Sequence, residues 1–98
     1  MASTDLSAYD KAVIPNACSF RFGIVVSEWN PEITHNLKKA AIETLLDCGA
    51  KEEHIISWNV PGSFELVYGC KKMIETQSLD AVIAIGNVIQ GETKHFDF

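Results

Sequence analysis

The chain has 98 residues, of which 47% are hydrophobic and 21% are charged, and its formal net charge is -5. This length and composition are typical of one globular domain and exclude a disordered chain. The balance of 8 Lys and Arg against 13 Asp and Glu argues against non-specific nucleic-acid binding, which needs a basic surface.

The sequence has no sign of a membrane segment, a secretory signal or a metal site. No apolar run is long enough to span a bilayer, and residues 1–10 lack the basic start and apolar core of a signal peptide. Cys18, Cys48 and Cys70 fit neither a zinc pattern nor a disulfide scaffold, and no His, Cys or carboxylate pair has metal-ligand spacing. We therefore expect a reduced, cytoplasmic protein that binds no metal and does not contact a membrane.

Residues 1–19 are small, polar and mixed in composition, which predicts an N-terminal tail. Its apolar stretch Val13-Ile14 stops at Pro15, and a proline there permits an edge strand but not a central one. Phe20–Ser27 is rich in β-branched and aromatic residues, which predicts a buried strand.

A helix is predicted directly after this strand. Asn30 is a candidate cap, Pro31 suits the first helical position, and Gly49 is a good C-terminal stop. Apolar residues recur between these signals at helical spacing: Ile33, Leu37, Ala40, Ala41, Leu45 and Cys48.

His54–Val60 is predicted as the second strand, with Trp58 in the core. Pro61-Gly62-Ser63 ends it, and Ser63 is a plausible cap for the helix that follows. Ala81–Ile85 is a short, wholly apolar third strand. The predicted buried face of the second helix consists of Leu66, Val67, Cys70, Met73 and Ile74.

Strands that alternate with helices predict an α/β fold with a parallel sheet, right-handed crossovers and helices on both faces. The chain stops at Phe98, soon after the loop that follows the third strand. A further helix normally follows such a strand, so we expect a longer polypeptide.

Three unusual segments follow the three strands, and a parallel sheet brings such segments to one edge, where ligands bind. They are Ser27–Asn30, Val60–Glu65 and Gly86–His95. Trp29 lies in the first of them, in a polar turn. Its indole is either a stacking platform for a flat heterocycle or a contact on the following helix, and the residues alone favour neither.

The second segment opens a helix at Pro61-Gly62-Ser63 and leaves free backbone N–H groups for a polar or anionic ligand. Glu65 in the first turn is suited to accept hydrogen bonds from ligand hydroxyls. The alternative is that the segment only turns the chain and caps a helix.

The third segment contains Gly91-Glu92-Thr93, a tight turn whose N–H groups and Thr93 hydroxyl are suited to a phosphate, although the Glu92 charge opposes one. His95 is the best candidate acid or base because its pKa suits proton transfer near neutrality, but most loop histidines are inert. His35 and His54 are predicted to be solvated.

These residues form three motifs that resemble one family, over about residues 22–98. The resemblance is to the 6,7-dimethyl-8-ribityllumazine synthases of riboflavin biosynthesis. The motifs occur in order and at suitable spacing: GIVVSEWN, VPGSFEL and GNVIQGETKHFDF.

The resemblance implies a three-layer, flavodoxin-like fold and a condensation of two small molecules. They are 5-amino-6-(D-ribitylamino)uracil and 3,4-dihydroxy-2-butanone 4-phosphate, and the reaction releases phosphate and water. It needs no metal and no organic cofactor. The family also implies self-assembly into pentamers or larger cages, in which residues 1–19 can add a strand to a neighbouring sheet.

The resemblance also implies a role for each matched residue. Trp29 stacks on the pyrimidine, and His95 is the proton donor. The other matched residues form substrate contacts: Ser63, Phe64 and Glu65 for the pyrimidine and its ribityl chain, Asn87, Val88 and Ile89 for the pyrimidine through backbone groups, and Glu92 and Thr93 for the phosphate.

Some residues depart from the family pattern. Gln90 stands where many members have a basic residue, and Asn87 where Thr or Cys is common. The chains of family members also continue for about half this length again, so residues 20–98 are expected to form an incomplete domain.

The alternatives to a lumazine synthase are a non-catalytic flavodoxin-like binding module, a cage subunit whose site has decayed, and a riboflavin synthase with the same fold.

Overall fold

The computed structural model of this chain describes residues 8–90. It contains three strands and two α-helices, joined by short 3₁₀ turns at Lys11–Val13, Glu52–His54 and Ser63–Glu65. The main elements are β1 (Phe22–Ser27), α1 (Pro31–Asp47), β2 (Ile55–Val60), α2 (Leu66–Thr76) and β3 (Ala81–Ile85).

The three strands form one parallel sheet in the order β2-β1-β3. Phe22 at the start of β1 lies opposite Ile55 of β2 and Ala81 of β3. The central strand is buried from Gly23 to Ser27, whereas both edge strands are half-exposed. The predicted βαβαβ order and the parallel sheet are confirmed.

Alternate side chains of β1 pack against different helices. Ile24 and Val26 lie in the cluster against which α1 packs through Ala41, Ile42 and Leu45. On the other face, Val25 lies beside Gly69 of α2. The sheet therefore has a helix on each face, which confirms the three-layer, flavodoxin-like α/β fold.

The start of α1 differs in detail from the prediction. Pro31 is at the first helical position, as expected, but among the described residues the Asn30 side chain makes no capping hydrogen bond. Asn30 has left-handed backbone angles (φ 59°), and its carbonyl oxygen accepts from the N–H groups of Ile33 and Thr34. Its backbone, rather than its side chain, organises the first turn.

The end of α1 agrees with the prediction. Gly49 follows the last turn with φ 100°, a conformation that glycine adopts without strain. A Cβ at this residue would lie 2.5 Å from Asn16 Oδ1, so a side chain here would also have to displace the Asn16 side chain of the tail.

The predicted buried face of α2 was too wide. Val67 and Ile74 of α2 are 78% and 61% exposed, and Ile33 and Leu37 of α1 are also exposed. Met73 is fully buried, whereas Cys48, Cys70 and Trp58 are only half-buried. A sheet of three short strands covers only part of each apolar stripe. Burial raises the pKa of the Cys70 thiol.

The tail lies against the C-terminal end of α1 in this single chain. Tyr9 Oη donates to Asp47 Oδ2 at 2.6 Å, and Lys11 Nζ lies 3.2 Å from Asp47 Oδ1. The N–H of Ala17 donates to the Cys48 carbonyl oxygen at 2.9 Å. Val13 ends a 3₁₀ turn here and is not in a strand, so strand exchange with a neighbouring subunit stays a prediction.

Residues 8–90 bear on two predicted absences, that of a membrane-spanning segment and that of a metal site. Neither α-helix of this range combines the length and the apolar character that crossing a bilayer requires. The same residues include no group of three or more His, Cys, Asp and Glu side chains placed to hold a metal ion.

Candidate functional site at the carboxyl edge of the sheet

Hydrogen bonds link the three segments that follow the strands. The N–H of Glu28, just after β1, donates to the carbonyl oxygen of Val60, the last residue of β2, at 2.7 Å. Ser63 Oγ, in the segment after β2, donates to the carbonyl oxygen of Asn87, after β3, at 3.0 Å. The segments therefore meet at the carboxyl edge, where open parallel sheets bind ligands.

Trp29 follows the central strand and is anchored through its backbone. The buried Ser27 hydroxyl oxygen accepts from the Trp29 N–H at 3.3 Å. The Trp29 side chain nevertheless remains 50% exposed, which leaves ring surface free to stack on a flat ligand. Its stacking role stays a prediction.

The segment after β2 forms a single 3₁₀ turn, Ser63–Glu65, before α2 begins. The Glu65 N–H donates to the Gly62 carbonyl oxygen, and the Glu65 carboxylate is exposed. Phe64 is 71% exposed. These positions suit contact with a ligand at the edge, and their binding roles stay predictions.

The prediction that Ser63 caps α2 is wrong. The Ser63 hydroxyl donates instead to the Asn87 carbonyl oxygen, 24 residues further along the chain. A Cβ on Gly86 would lie 2.8 Å from Ser63 Oγ and 2.7 Å from Leu66 Cδ1. A side chain at residue 86 would therefore have to displace the Ser63 hydroxyl and the Leu66 methyl group.

The segment after β3 runs from Gly86 to Gln90 without regular structure. Val88 and Ile89 are about half exposed. Asn87 is half-buried, and within the described residues neither polar atom of its carboxamide has a hydrogen-bond partner. The roles of all three residues in binding a pyrimidine stay predictions.

The remaining site predictions fall on residues 91–98, which the structure does not describe. They concern Glu92 and Thr93 as phosphate contacts and His95 as the proton donor. All three stay predictions. Of the two weaker histidine candidates, His35 is exposed as expected. His54 was expected to be solvated but is half-buried, and its Nδ1 is enclosed without a partner among the described residues.

Two shallow concavities in the described part of the chain are lined by other residues. One, of about 420 Å³, is lined by α1 and β2 residues that include His35, Lys38 and Asn59. The other, of about 290 Å³, lies between the tail and the end of α1. Neither is lined by a residue to which the family resemblance gives a role.

Sequence reasoning missed two structural contributors to the candidate site. They are the buried Ser27 hydroxyl under the Trp29 turn and the bond from Ser63 to Asn87. The first could have been predicted, because a serine at the end of a buried strand indicates a hydroxyl that bonds the turn that follows. The second has no local signal, because its partners are far apart in the sequence.

The fold and this edge define a class of protein: a flavodoxin-like α/β domain with a candidate small-molecule site at the carboxyl ends of its strands. The model of the 6,7-dimethyl-8-ribityllumazine synthase family matches residues 19–98. The chain belongs to this family, which confirms the resemblance drawn from the three motifs.

Similar proteins support the same family. The chain is 67% identical over 94 residues to a protein of Flavobacterium johnsoniae, covering 96% of this chain and 50% of that protein. It is 65% identical over 97 residues to one of Flavobacterium psychrophilum (99% and 51%) and 63% identical over 95 residues to one of Christiangramia forsetii (96% and 56%). All three are named 6,7-dimethyl-8-ribityllumazine synthase. The chain spans about half the length of these relatives.

Proposed function

We propose that the protein to which this chain belongs is a 6,7-dimethyl-8-ribityllumazine synthase. It condenses 5-amino-6-(D-ribitylamino)uracil with 3,4-dihydroxy-2-butanone 4-phosphate. The substrate amine attacks the ketone carbonyl to give an imine with loss of water, phosphate is then eliminated, and ring closure releases a second water. The observation that carries the proposal is the family membership of a chain whose three matching motifs, in the parts that the structure describes, are linked by hydrogen bonds at one edge.

The proposed roles divide between the three segments. The Trp29 ring stacks on the pyrimidine, while Glu65 and its neighbours Ser63 and Phe64 contact the same substrate and its ribityl chain. The backbone of residues 87–89 adds pyrimidine contacts. Two exposed aromatic rings and an exposed carboxylate at the edge support this division.

The phosphate substrate is assigned to the last segment. The turn at Glu92 and Thr93 contacts the phosphate, and His95 donates a proton. Arg21, the only arginine of the chain, directly precedes β1 and therefore lies at the opposite, amino edge of the sheet. We infer that any arginine that binds the phosphate comes from the part of the protein outside this chain or from a neighbouring subunit.

Catalysis in this proposal relies mainly on holding the two substrates together, which removes most of the entropic cost of a bimolecular step. A general acid such as His95 adds about 100- to 10,000-fold. No resident metal or organic cofactor takes part. The protein is proposed to act in the cytoplasm as a homo-oligomer built of pentamers.

Turnover by the full-length protein tests this proposal. Supplied with both substrates, it should form the lumazine and release one phosphate for each, whereas either substrate alone should give neither product. Binding of the pyrimidine without turnover would favour a binding module or a decayed cage subunit. Formation of riboflavin from the lumazine alone would indicate a riboflavin synthase.

A further inference from the structure

Ser27 places a polar side chain in the buried interior of the central strand. Its neighbours Ile24, Val25 and Val26 are apolar, and Ser27 is as completely buried as they are, with 0% exposure. A buried hydroxyl adds less to a core than an apolar side chain and costs free energy unless it is hydrogen-bonded. The reason for a serine here therefore lies in its hydrogen bond rather than in packing.

That hydrogen bond is made to the segment that carries Trp29. Ser27 Oγ accepts from the Trp29 N–H at 3.3 Å. β1 ends at Ser27, and its pairing with β3 ends one residue earlier, at Val26. Because Trp29 lies beyond the strand, the sheet does not hold its N–H, and the Ser27 hydroxyl supplies the hydrogen bond instead.

The backbone on either side of Trp29 is also fixed. Before it, the Glu28 N–H donates to the Val60 carbonyl oxygen at 2.7 Å. After it, Asn30 has left-handed backbone angles, and its carbonyl oxygen accepts from two N–H groups of the first turn of α1. Between these two residues, the bond to Ser27 holds the Trp29 backbone and thereby sets the direction in which the ring extends.

We propose that Ser27 is a positioning residue for pyrimidine binding, whose buried hydroxyl holds the Trp29 turn so that the indole ring is presented to the substrate. The inference rests on the proposed function, in which Trp29 stacks on the pyrimidine. Ser27 is fully buried and touches no substrate, whereas the Trp29 ring is half exposed and open to a ligand. Ser27 therefore acts through Trp29.

Loss of this hydroxyl should weaken binding by lowering the population of the stacking conformation. Without the bond, the half-exposed Trp29 N–H bonds to water and the turn adopts further conformations. The apparent dissociation constant rises by the inverse of the fraction of protein in the binding-competent state. For one hydrogen bond of ordinary net strength, this factor is about two to ten.

The experiment uses the full-length protein and three variants: Ser27→Ala, Trp29→Ala and the double variant. The dissociation constant of 5-amino-6-(D-ribitylamino)uracil is measured by calorimetric titration without the second substrate, and kcat and KM by steady-state kinetics with both substrates. Ser27→Ala should raise the dissociation constant and the KM for the pyrimidine about two- to tenfold. Its kcat should stay unchanged, because stacking stabilises the bound substrate and the transition state alike.

The double variant tests whether Ser27 acts through Trp29. In the Trp29→Ala background, Ser27→Ala should change the dissociation constant no further, because the ring that it positions is absent. Thr76→Ala is the matched control. It removes a 2.7 Å hydroxyl-to-carbonyl bond at the C-terminal end of α2 and should leave binding and KM unchanged.

Three results would overturn the proposal. Unchanged pyrimidine binding by Ser27→Ala would mean that the hydroxyl only completes the end of the strand. An equal further loss in the Trp29→Ala background would show that Ser27 does not act through the ring, and a lowered kcat with unchanged KM would place its effect on the chemical step. Turnover of the wild type is measured in parallel. An inactive wild type would remove the proposed function and this inference with it, whereas an active wild type with any of these three results would remove only this inference.

Discussion

Trp29 combines an anchored backbone with a half-open ring at the end of the central strand. We expect Trp29→Ala to weaken pyrimidine binding by about 1–3 kcal/mol, the range measured for aromatic stacking on nucleic-acid bases. The dissociation constant of the full-length variant checks this, with Trp29→Phe as the control that keeps a stacking surface. Unchanged affinity in Trp29→Ala would mean that the indole is only a contact on α1.

His95 is the proposed proton donor, and its substitution separates chemistry from binding. His95→Ala should lower kcat about 100- to 10,000-fold and change KM little, because a general acid acts mainly in the transition state. Steady-state kinetics of the full-length variant give both constants. His35→Ala, at an exposed position of α1, should behave as the wild type. A raised KM with preserved kcat would contradict the acid role.

Single residues also show where sequence reasoning reaches its limit. The glycine stop at Gly49 and the proline start at Pro31 were predictable, because they depend on the local backbone. Asn30 does occupy the N-cap position of α1, although its side chain makes no capping hydrogen bond, and the prediction that Ser63 caps α2 was wrong. Ser63 has a partner 24 residues away, and no local pattern reports such a contact.

Among the elements, α2 approaches the sheet through Gly69. A Cβ there would lie 2.8 Å from Val25 Cγ1 and 2.9 Å from Val60 Cγ1. Gly69→Ala should therefore lower stability: overpacking costs about 1–3 kcal/mol and exceeds the gain of about 1 kcal/mol in helix propensity.

Chemical denaturation of the full-length protein measures this change. Gly62→Ala is the control, since its added Cβ would lie 3.6 Å from the nearest Glu65 carboxylate oxygen, an ordinary contact. We expect little change in its free energy of unfolding. A Gly69→Ala variant more stable than the wild type would contradict the close packing of α2 on β1.

The type and order of the elements were predictable because hydrophobic runs and breakers are local signals. The extent of burial was not. Val67 and Ile74 carry the apolar pattern of a buried helix face, yet both are exposed. Which part of an apolar stripe is covered depends on the neighbouring elements, and one sequence window does not contain them.

At the scale of the whole molecule, the tail is tied to α1 by the group of Tyr9, Lys11 and Asp47. The hydrogen bond from Tyr9, and after it that from Lys11, lowers the pKa of Asp47 below its ordinary value of 3.8. The same hydrogen bond raises the pKa of Tyr9 from 10.0 to about 12.

Both shifts predict a pH window for this contact. The lowered Asp47 pKa contributes stability that is present above about 3.8 and is lost as pH falls through the lower folded value. The raised Tyr9 pKa contributes stability that is present below 10.0 and is lost as pH rises towards about 12. Amide exchange of the tail should therefore be slowest, relative to its intrinsic rate, between these limits.

Tyr9→Phe should raise the Asp47 pKa towards its ordinary value, because the larger of its two favourable hydrogen bonds is lost. A titration followed by NMR measures this pKa in the full-length protein. Lys11→Met removes both a hydrogen bond and an opposite charge from Asp47 and should also raise this pKa. An Asp47 pKa that is the same in Tyr9→Phe and wild type would show that the tail does not lie on α1 in solution.

The central claim is that a pyrimidine binds at the carboxyl edge, between the segments that follow β1 and β3. A crystal structure of the full-length protein with bound 5-amino-6-(D-ribitylamino)uracil tests it most directly. The ring should stack on Trp29 and meet residues 87–89, with the ribityl chain towards Glu65. A ring bound in the groove beside His35, or at the amino edge near Arg21, would contradict the account.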